Sequence, residues 1–320
     1  MRRSLTFTLL TGIATLASAQ QQPPRGPAPV DPALAAREAA QRAAADKLPD
    51  AAGSGPFKAI KEVDPTLANH VVYRPATIPA SRKLGMIVWG NGGCREDGAS
   101  ARQHLGELAS HGYVVIAPGT ILSGPGAPPP QPEKQGLFVQ TTTADVLAGL
   151  DWALAENKRR GSRYFGRIDP ALVGVAGHSC GGLQAIQAAA DPRIRAVIVH
   201  NSGVFADGSN PIRGMTIDKS ALTKFHTPVL YVLGGSSDVA YPNGTDDFRK
   251  IAHVPAMLLN LNVGHGGTFR EPGGGAVAQV SAKWFEWQLR GDKAAARTFT
   301  GPNCGVCTDP KWTVERKGIS

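Results

Sequence analysis

The sequence predicts an α/β fold: a mostly parallel, eight-stranded sheet with helices on both faces. Two observations support this. Short runs such as Met86–Trp89 and Tyr113–Ala117 are apolar at every position, as strands buried on both faces are. Helical stretches of about 10 to 15 residues separate most of these runs, and strands that alternate with helices pair in parallel.

The first two predicted strands, Phe57–Val63 and Asn69–Tyr73, flank an Asp64-Pro65 turn, and we expect them to pair as an antiparallel edge. The other six predicted strands are Met86–Trp89, Tyr113–Ala117, Ala171–Ala176, Arg195–His200, Val229–Leu233 and Ala256–Asn262. The predicted helices of this region are Ala101–Ser110, Thr141–Asn157, Leu183–Ala190 and Ala276–Leu289.

Ligands of such sheets bind beyond the carboxyl ends of the strands, so the loops that follow strands are the candidate functional segments. These loops are Gly90 to Asp97, Pro118 to Gln140, Gly177 to Gly182, Asn201 to Arg213, Gly234 to Asn243 and Val263 to Arg270. The proline-rich loop that starts at Pro118 is too short to form a separate lid domain. We therefore expect no large lid and an open site that suits a bulky or extended ligand.

The amino terminus predicts export. Residues 1–19 carry two arginines, a mostly apolar run and a final Ala17-Ser18-Ala19, the zones of a secretory signal peptide that is cleaved after Ala19. The alternative, a membrane anchor, is disfavoured because the apolar run is shorter than the roughly 20 residues of a membrane span. We expect a secreted or periplasmic protein with no membrane span.

Composition divides the remaining chain into three segments. Residues 20–56 form a lead-in rich in Pro and Ala, with a predicted helix from Asp31 to Lys47. Residues 57–300 form the main domain, and residues 301–320 form a polar tail with a C-x-x-C motif. The oligomeric state is left open by the sequence, which is compatible with a monomer.

The net charge of +9 raises the question of nucleic-acid binding. The basic residues are dispersed, and the one tight cluster, Lys158-Arg159-Arg160, lies where a helix is expected to end. Cations at that position interact favourably with the helix dipole. We therefore predict no nucleic-acid partner.

The candidate nucleophile is Ser179. It follows the apolar run that begins at Leu172 and lies in Gly177-His178-Ser179-Cys180-Gly181, a G-x-S-x-G pattern. This pattern is typical of a sharp turn from a strand into a helix that exposes the serine hydroxyl above the sheet. Glycine is needed two residues before and after the serine because a Cβ there would crowd the turn.

A serine nucleophile needs a base, and the base needs an acid to hold its tautomer. His265 is the predicted base because it lies in a glycine-rich loop directly after the last predicted strand. His200 comes too early to have a strand-end acid before it, and His226 and His253 lie in or near helical segments.

Asp238 is the predicted acid, since it closely follows the strand before the last. An Asx turn is the structural alternative for this residue. Asp207, after the preceding strand, is the reserve candidate.

The tetrahedral intermediate of such a reaction needs two hydrogen-bond donors for its oxyanion. One is the backbone N–H of Cys180, at the start of the helix after the nucleophile. The other is expected in the glycine-rich loop after Trp89. We predict the backbone N–H of Asn91 as this donor, with Gly92 as the second choice.

These features resemble the α/β-hydrolase superfamily over roughly residues 57–290. Gly-His-Ser-Cys-Gly-Gly at the nucleophile and Gly-x-x-Asp-x-x-x-Pro, from Gly235 to Pro242, resemble its secreted esterase and polyester-hydrolase branch, which includes cutinase-like enzymes. Two positions depart from that branch, which often has Met or Gln in place of Cys180 and an aromatic or hydrophobic residue in place of Asn91. The resemblance implies a serine hydrolase of small or polymeric carboxylic esters, acting through a Ser179 acyl-enzyme without metal or cofactor.

Other functions remain open on this sequence. A serine peptidase or amidase can use the same fold, and so can a non-catalytic binding protein, although such proteins usually lack a triad member. Five aromatic residues near strand ends can line the site or belong to the core: Trp89, Phe138, Phe205, Tyr241 and Phe269.

Four cysteines in an exported chain indicate two disulfides, with three pairings to consider. A single C-x-x-C is weak evidence for zinc, and its place in a polar tail disfavours a redox site. We predict Cys304–Cys307, which leaves Cys94 to pair with Cys180. That second bond would hold the two oxyanion donors together; the alternative is two free buried thiols.

Overall fold

Nine strands form one sheet in the computed structural model, which describes residues 40–129 and 138–320. The strands are β1 Ala59–Glu62, β2 His70–Pro75, β3 Leu84–Gly90, β4 Tyr113–Pro118, β5 Ile168–His178, β6 Ala196–His200, β7 Val229–Leu233, β8 Ala256–Leu261 and β9 Trp312–Lys317. Their spatial order is β1-β2-β4-β3-β5-β6-β7-β8-β9. The six strands from β4 to β8 in this order are parallel, so the predicted α/β class with a mostly parallel sheet is confirmed.

Antiparallel strands lie at both edges of the sheet. β1 pairs with β2 as predicted, with Ile60 opposite Arg74. The predicted count of eight strands is wrong, because β9 from the predicted tail pairs with β8 and places Glu315 opposite Leu258. The tail appears polar in sequence because only Trp312 and Val314 in β9 are large and apolar. Two such residues are enough for an edge strand that buries only one of its faces.

Seven helices can be bounded in this part of the chain: α1 Arg102–Ser110, α2 Thr143–Glu156, α3 Cys180–Ala188, α4 Tyr241–Lys250, α5 Gly275–Arg290, α6 Lys293–Ala296 and α7 Gly305–Thr308. Short 3-10 turns lie at Gly92–Cys94, Lys219–Lys224 and Pro272–Gly274. Thr142 caps α2 and forms a capping box with Asp145. α4 was not predicted. Its sequence has few apolar residues, and of these Phe248 is buried.

Two hydrophobic cores lie on opposite faces of the sheet. Leu150 of α2 and Leu183 of α3 pack in one core, and Leu105 of α1 and Phe285 of α5 pack in the other. Alternate residues of one strand enter different cores, as Val88 and its neighbours in β3 show. The central strands are therefore buried on both faces, as their uninterrupted apolar sequences predict.

Several sequence predictions concern segments at or beyond the limits of the described residues. The signal segment, residues 31–39 of the lead-in helix and residues 130–137 of the proline-rich loop lie outside them, whereas residues 40–46 are helical. Residues 41–320 form one unit, so the last part of the lead-in and the tail belong to the same body as the main domain. Of the helices described, none has the length and apolar character to cross a membrane.

Gly174 of β5 lies against a buried ring of α5, because a Cβ on Gly174 would be 2.4 Å from Cε1 of Phe285. We expect Gly174→Ala to lower the free energy of unfolding by about 1 to 3 kcal/mol through overpacking, as urea titration would measure. Phe285→Leu removes the opposing ring, so the same alanine should cost less in that background. Strictly additive effects of the two substitutions would contradict the contact.

Candidate active site

Ser179 occupies the turn between β5 and α3. β5 ends at His178 and α3 begins at Cys180, while Ser179 itself has φ 54° and ψ −121°. A Cβ on Gly177 would lie 2.0 Å from the carbonyl oxygen of Gly181, so the turn closes only with glycine there. The structure therefore has the sharp strand-to-helix turn that the G-x-S-x-G pattern predicts.

The structure brings Ser179, His265 and Asp238 together. Nε2 of His265 lies 2.9 Å from Oγ of Ser179, and its Nδ1 lies 2.6 Å from Oδ1 of Asp238. The reserve acid Asp207 lies elsewhere and accepts hydrogen bonds from Ser209. The three side chains meet because β5, β7 and β8 end at the same edge of the sheet.

The environment of Asp238 favours its ionised form. Burial acts to raise its pKa, but the hydrogen bond from His265 and those from the backbone N–H groups of Ala240 and Gly234 outweigh burial and lower the pKa to about 2. An ionised Asp238 accepts a hydrogen bond from Nδ1–H of His265, which keeps the imidazole proton on Nδ1. Nε2 is then free to accept the proton of the Ser179 hydroxyl.

The backbones of the serine turn and of the glycine-rich loop after β3 are in direct contact. A Cβ on Gly181 would lie 2.0 Å from the carbonyl oxygen of Gly90 and 2.6 Å from the backbone nitrogen of Asn91. The side chain of Asn91 is buried and donates to the carbonyl oxygens of Arg95 and Pro118. The backbone of Asn91 thus lies against Gly181, the residue after Cys180, and the Asn91 side chain fixes the shape of its own loop.

Both predicted cysteine pairs lie at disulfide distance. The sulfur atoms are 1.91 Å apart in Cys94–Cys180 and 2.10 Å apart in Cys304–Cys307. Cys94 has φ 48° and is fully buried, and its carbonyl oxygen accepts from the backbone N–H groups of Gln140 and Thr141. The first pair connects the Asn91 loop to the first residue of α3.

A cluster of aromatic and histidine rings beneath the site was not predicted. Trp89 and Phe269, which we considered as site-lining residues, are buried in this cluster with His104 and His200. The rings of His104 and His200 lie 5.1 Å apart, and none of their nitrogens has a hydrogen-bond partner among the described residues. Each histidine lies within a predicted helix or strand, so only the three-dimensional arrangement reveals the cluster.

Burial keeps these imidazoles neutral. It lowers the pKa of His104 to about 3. It also lowers the pKa of His200, to which the nearby His104 adds a smaller decrease. By contrast, Phe138, Phe205 and Tyr241 remain partly exposed and can still line the site.

Asn201 is another residue at the site that was not predicted from the sequence. It directly follows β6, at the start of one of the candidate functional loops, and it donates hydrogen bonds to both Asp238 and Gly264. Its position directly after a strand was the available indication, but an asparagine is neither the acid nor the base of a triad.

Comparison with known families now adds to this geometry. Residues 17–205 match the family described as PET hydrolase-like, and this match covers more than half of the chain. The chain belongs to the PET hydrolase-like family. The predicted polyester-hydrolase branch of the α/β-hydrolases is thereby confirmed, and membership supports a hydrolase that acts on esters. No curated protein matches the chain.

The match to the PET hydrolase-like family covers only part of the candidate active site. It includes the loop with Asn91 and the turn with Ser179, but it ends before Asp238 and His265. The candidate roles of Asp238 and His265 therefore rest on the contacts of His265 with Ser179 and with Asp238.

The buried histidines predict a specific loss of stability in acid. Above about pH 6.5 they are neutral in both states; below it they bind protons in the unfolded chain but not in the folded one, down to about pH 3 for His104. Each can reduce the free energy of unfolding by up to about 1.4 kcal/mol per pH unit over this range. In the His104→Phe protein, the free energy of unfolding should therefore decrease less steeply between pH 6 and pH 4.

Urea titrations at several pH values measure this slope. Phe269→Leu is the matched control, because it alters the packing of the same ring cluster without removing a titratable group and should leave the slope unchanged. Equal slopes for His104→Phe and the unmodified protein would show that His104 is not held neutral.

Proposed function

We propose that this protein is a secreted serine hydrolase that cleaves carboxylic esters through a Ser179 acyl-enzyme. The supporting observation is the continuous line of contacts from Oγ of Ser179 through the two nitrogens of His265 to the buried carboxylate of Asp238. This arrangement provides a nucleophile, a base and an acid in the geometry that acyl transfer requires.

The proposed reaction has two stages. Nε2 of His265 takes the Ser179 proton as Oγ bonds to the ester carbonyl carbon, and the imidazolium then protonates the departing alcohol oxygen. In the second stage His265 takes a proton from water as the water oxygen bonds to the acyl carbon, and the imidazolium then protonates Oγ of Ser179 as the acyl–Oγ bond breaks and the acid leaves. Asp238 remains ionised throughout and stabilises the imidazolium that forms in each stage.

The backbone N–H groups of Cys180 and Asn91, with Gly92 as the alternative second donor, are proposed to bind the oxyanion of each tetrahedral intermediate. The contact between the Gly90–Asn91 backbone and Gly181 supports this assignment because it places the two donor loops side by side. These steps need neither a metal ion nor an organic cofactor.

The family supports a polyester or another bulky ester as the substrate class. We propose export to the periplasm or the medium, on the basis of the signal-like residues 1–19 and the two cysteine pairs at bonding distance. Residues 57–300 would form the catalytic domain, completed by β9 from residues 301–320.

Ser179→Ala should lower turnover of a p-nitrophenyl ester by about three to six orders of magnitude, because it removes the nucleophile. Ser209→Ala, at an exposed serine, is the control and should retain full turnover. Matching p-nitroanilides distinguish an esterase from an amidase, and an active Ser179→Ala protein would refute the proposal.

The Cys94–Cys180 bond is proposed to hold the oxyanion donors in place. Replacing both cysteines with alanine keeps the Cys180 N–H but frees the loop, so kcat should fall at least about tenfold. The free energy of unfolding should fall by about 4 to 5 kcal/mol, against about 2 kcal/mol for the short Cys304–Cys307 link, by the loop-entropy relation.

Paired Cys→Ala variants at the two sites, compared in kcat and in thermal unfolding, test this role. Non-reduced peptide mapping gives the connectivity directly. Free thiols at Cys94 and Cys180, or an unchanged kcat in the Cys94→Ala, Cys180→Ala protein, would end the proposal.

A further inference from the structure

Asn201 occupies a strained position at the centre of the site. It follows β6, which lies between the strand of the nucleophile and the strand of the acid. Its side chain is buried, and its φ of 44° lies in the left-handed region that asparagine tolerates better than most residues. A buried polar side chain in such a conformation requires an explanation.

The side-chain amide of Asn201 bridges two loops that carry different members of the triad. Nδ2 donates to Oδ2 of Asp238 at 2.9 Å and to the carbonyl oxygen of Gly264 at 3.1 Å. Neither acceptor can donate a hydrogen bond, so the amide must direct its NH2 group toward both. One side chain therefore connects the acid with the residue directly before the base.

The hydrogen bond to Asp238 controls the orientation of its carboxylate. Oδ2 accepts from Asn201 and from the backbone N–H of Gly234, while Oδ1 accepts from His265 and from the backbone N–H of Ala240. A carboxylate with partners on both oxygens cannot rotate without breaking several bonds. Asn201 thus keeps Oδ1 directed at the imidazole.

The hydrogen bond to Gly264 restrains the base loop. That loop is rich in glycine and therefore has few side chains that could form stabilising contacts. Its backbone is held instead by the N–H groups of Val263 and Gly264, which donate to the carbonyl oxygen of Gly234. The carbonyl oxygen of His265 lies 2.8 Å from Nε2 of His178. With Asn201 at Gly264, the backbone on both sides of the His265 imidazole is held.

The backbones of two neighbouring loops approach the Asn201 amide closely. A Cβ on Gly234 would lie 2.7 Å from Nδ2 of Asn201, and a Cβ on Gly267 would lie 3.1 Å from its Oδ1. The loops after β7 and β8 therefore close around the asparagine. The buried side chain contacts Asp238 and the base loop.

We propose that Asn201 is a positioning residue for the reaction, whose amide locks the acid and the base loop in one arrangement. This inference rests on the proposed function. A residue needed only for its backbone conformation could be replaced by glycine without loss of turnover, whereas a residue needed as a donor could not.

Asn201→Gly keeps the left-handed backbone and removes the donor. We expect kcat to fall by about 10- to 100-fold, because small misplacements of catalytic groups have effects of that order. KM should change little, because the Asn201 side chain is buried and therefore inaccessible to a substrate. Turnover of a soluble p-nitrophenyl ester, corrected for the folded fraction at a temperature below unfolding, measures both parameters.

Asn201→Asp keeps the shape and makes the donor depend on pH. The introduced carboxyl group can donate to Asp238 while it is protonated, and its proximity to Asp238 favours that form. Once ionised, it cannot donate and repels Asp238. The ratio of kcat for Asn201→Asp to kcat for Asn201→Gly should therefore decrease as the pH rises.

Asn157→Gly is the matched control. The amide of Asn157 also joins two segments, since it donates to the carbonyl oxygen and accepts from the N–H of Ile168, but at the amino end of β5. This variant should lower the thermal stability and leave kcat unchanged.

The outcomes separate the two proposals. If Ser179→Ala is inactive while Asn201→Gly keeps kcat within about twofold of the unmodified protein, the positioning role is wrong and the proposed function stands. A pH-independent ratio between the two Asn201 variants would also overturn it. If Ser179→Ala is active, both proposals fail.

Discussion

The common edge at which four neighbouring parallel strands end is the constraint on which the site depends. β5, β6, β7 and β8 are adjacent in the sheet, and each is followed by one residue of the site: Ser179, Asn201, Asp238 and His265. None of these residues is close to the next in sequence. Parallel pairing brings them together because strands that run in the same direction end at the same edge.

Burial and hydrogen bonding give the groups of the site different charges. Four hydrogen bonds keep the buried Asp238 ionised, whereas His104 and His200 beneath it have no hydrogen-bond partners among the described residues and are neutral. Of these three groups, only Asp238, which contacts His265, is charged. Neutral His104 and His200 neither attract the Asp238 carboxylate nor repel a positively charged His265.

Local sequence patterns were sufficient for the parts of the molecule that depend on local chemistry. The uninterrupted apolar strands, the glycines around Ser179 and the loop position of His265 each have a short-range cause, and the structure shows the corresponding elements. β9 could not be predicted with the same rules, because its pairing with β8 depends on a contact between segments about 50 residues apart. Asn201 was missed because its role arises from two loops that are distant from it in sequence.

Trp89 and Phe269 illustrate the same limit. Both follow or end strands in the sequence, where a residue can face either the site or the core, and the structure buries both with His104. The direction of a side chain at a strand end depends on what packs above it.

The central claim is that Ser179 is a nucleophile activated by His265 and Asp238. Reaction of the intact protein with a fluorophosphonate, followed by peptide mass mapping, tests it most directly. The account predicts one adduct per chain, on the peptide that contains Ser179, and no adduct on the Ser179→Ala protein. A protein that takes up no label at neutral pH, or takes it up on another serine, would contradict the account.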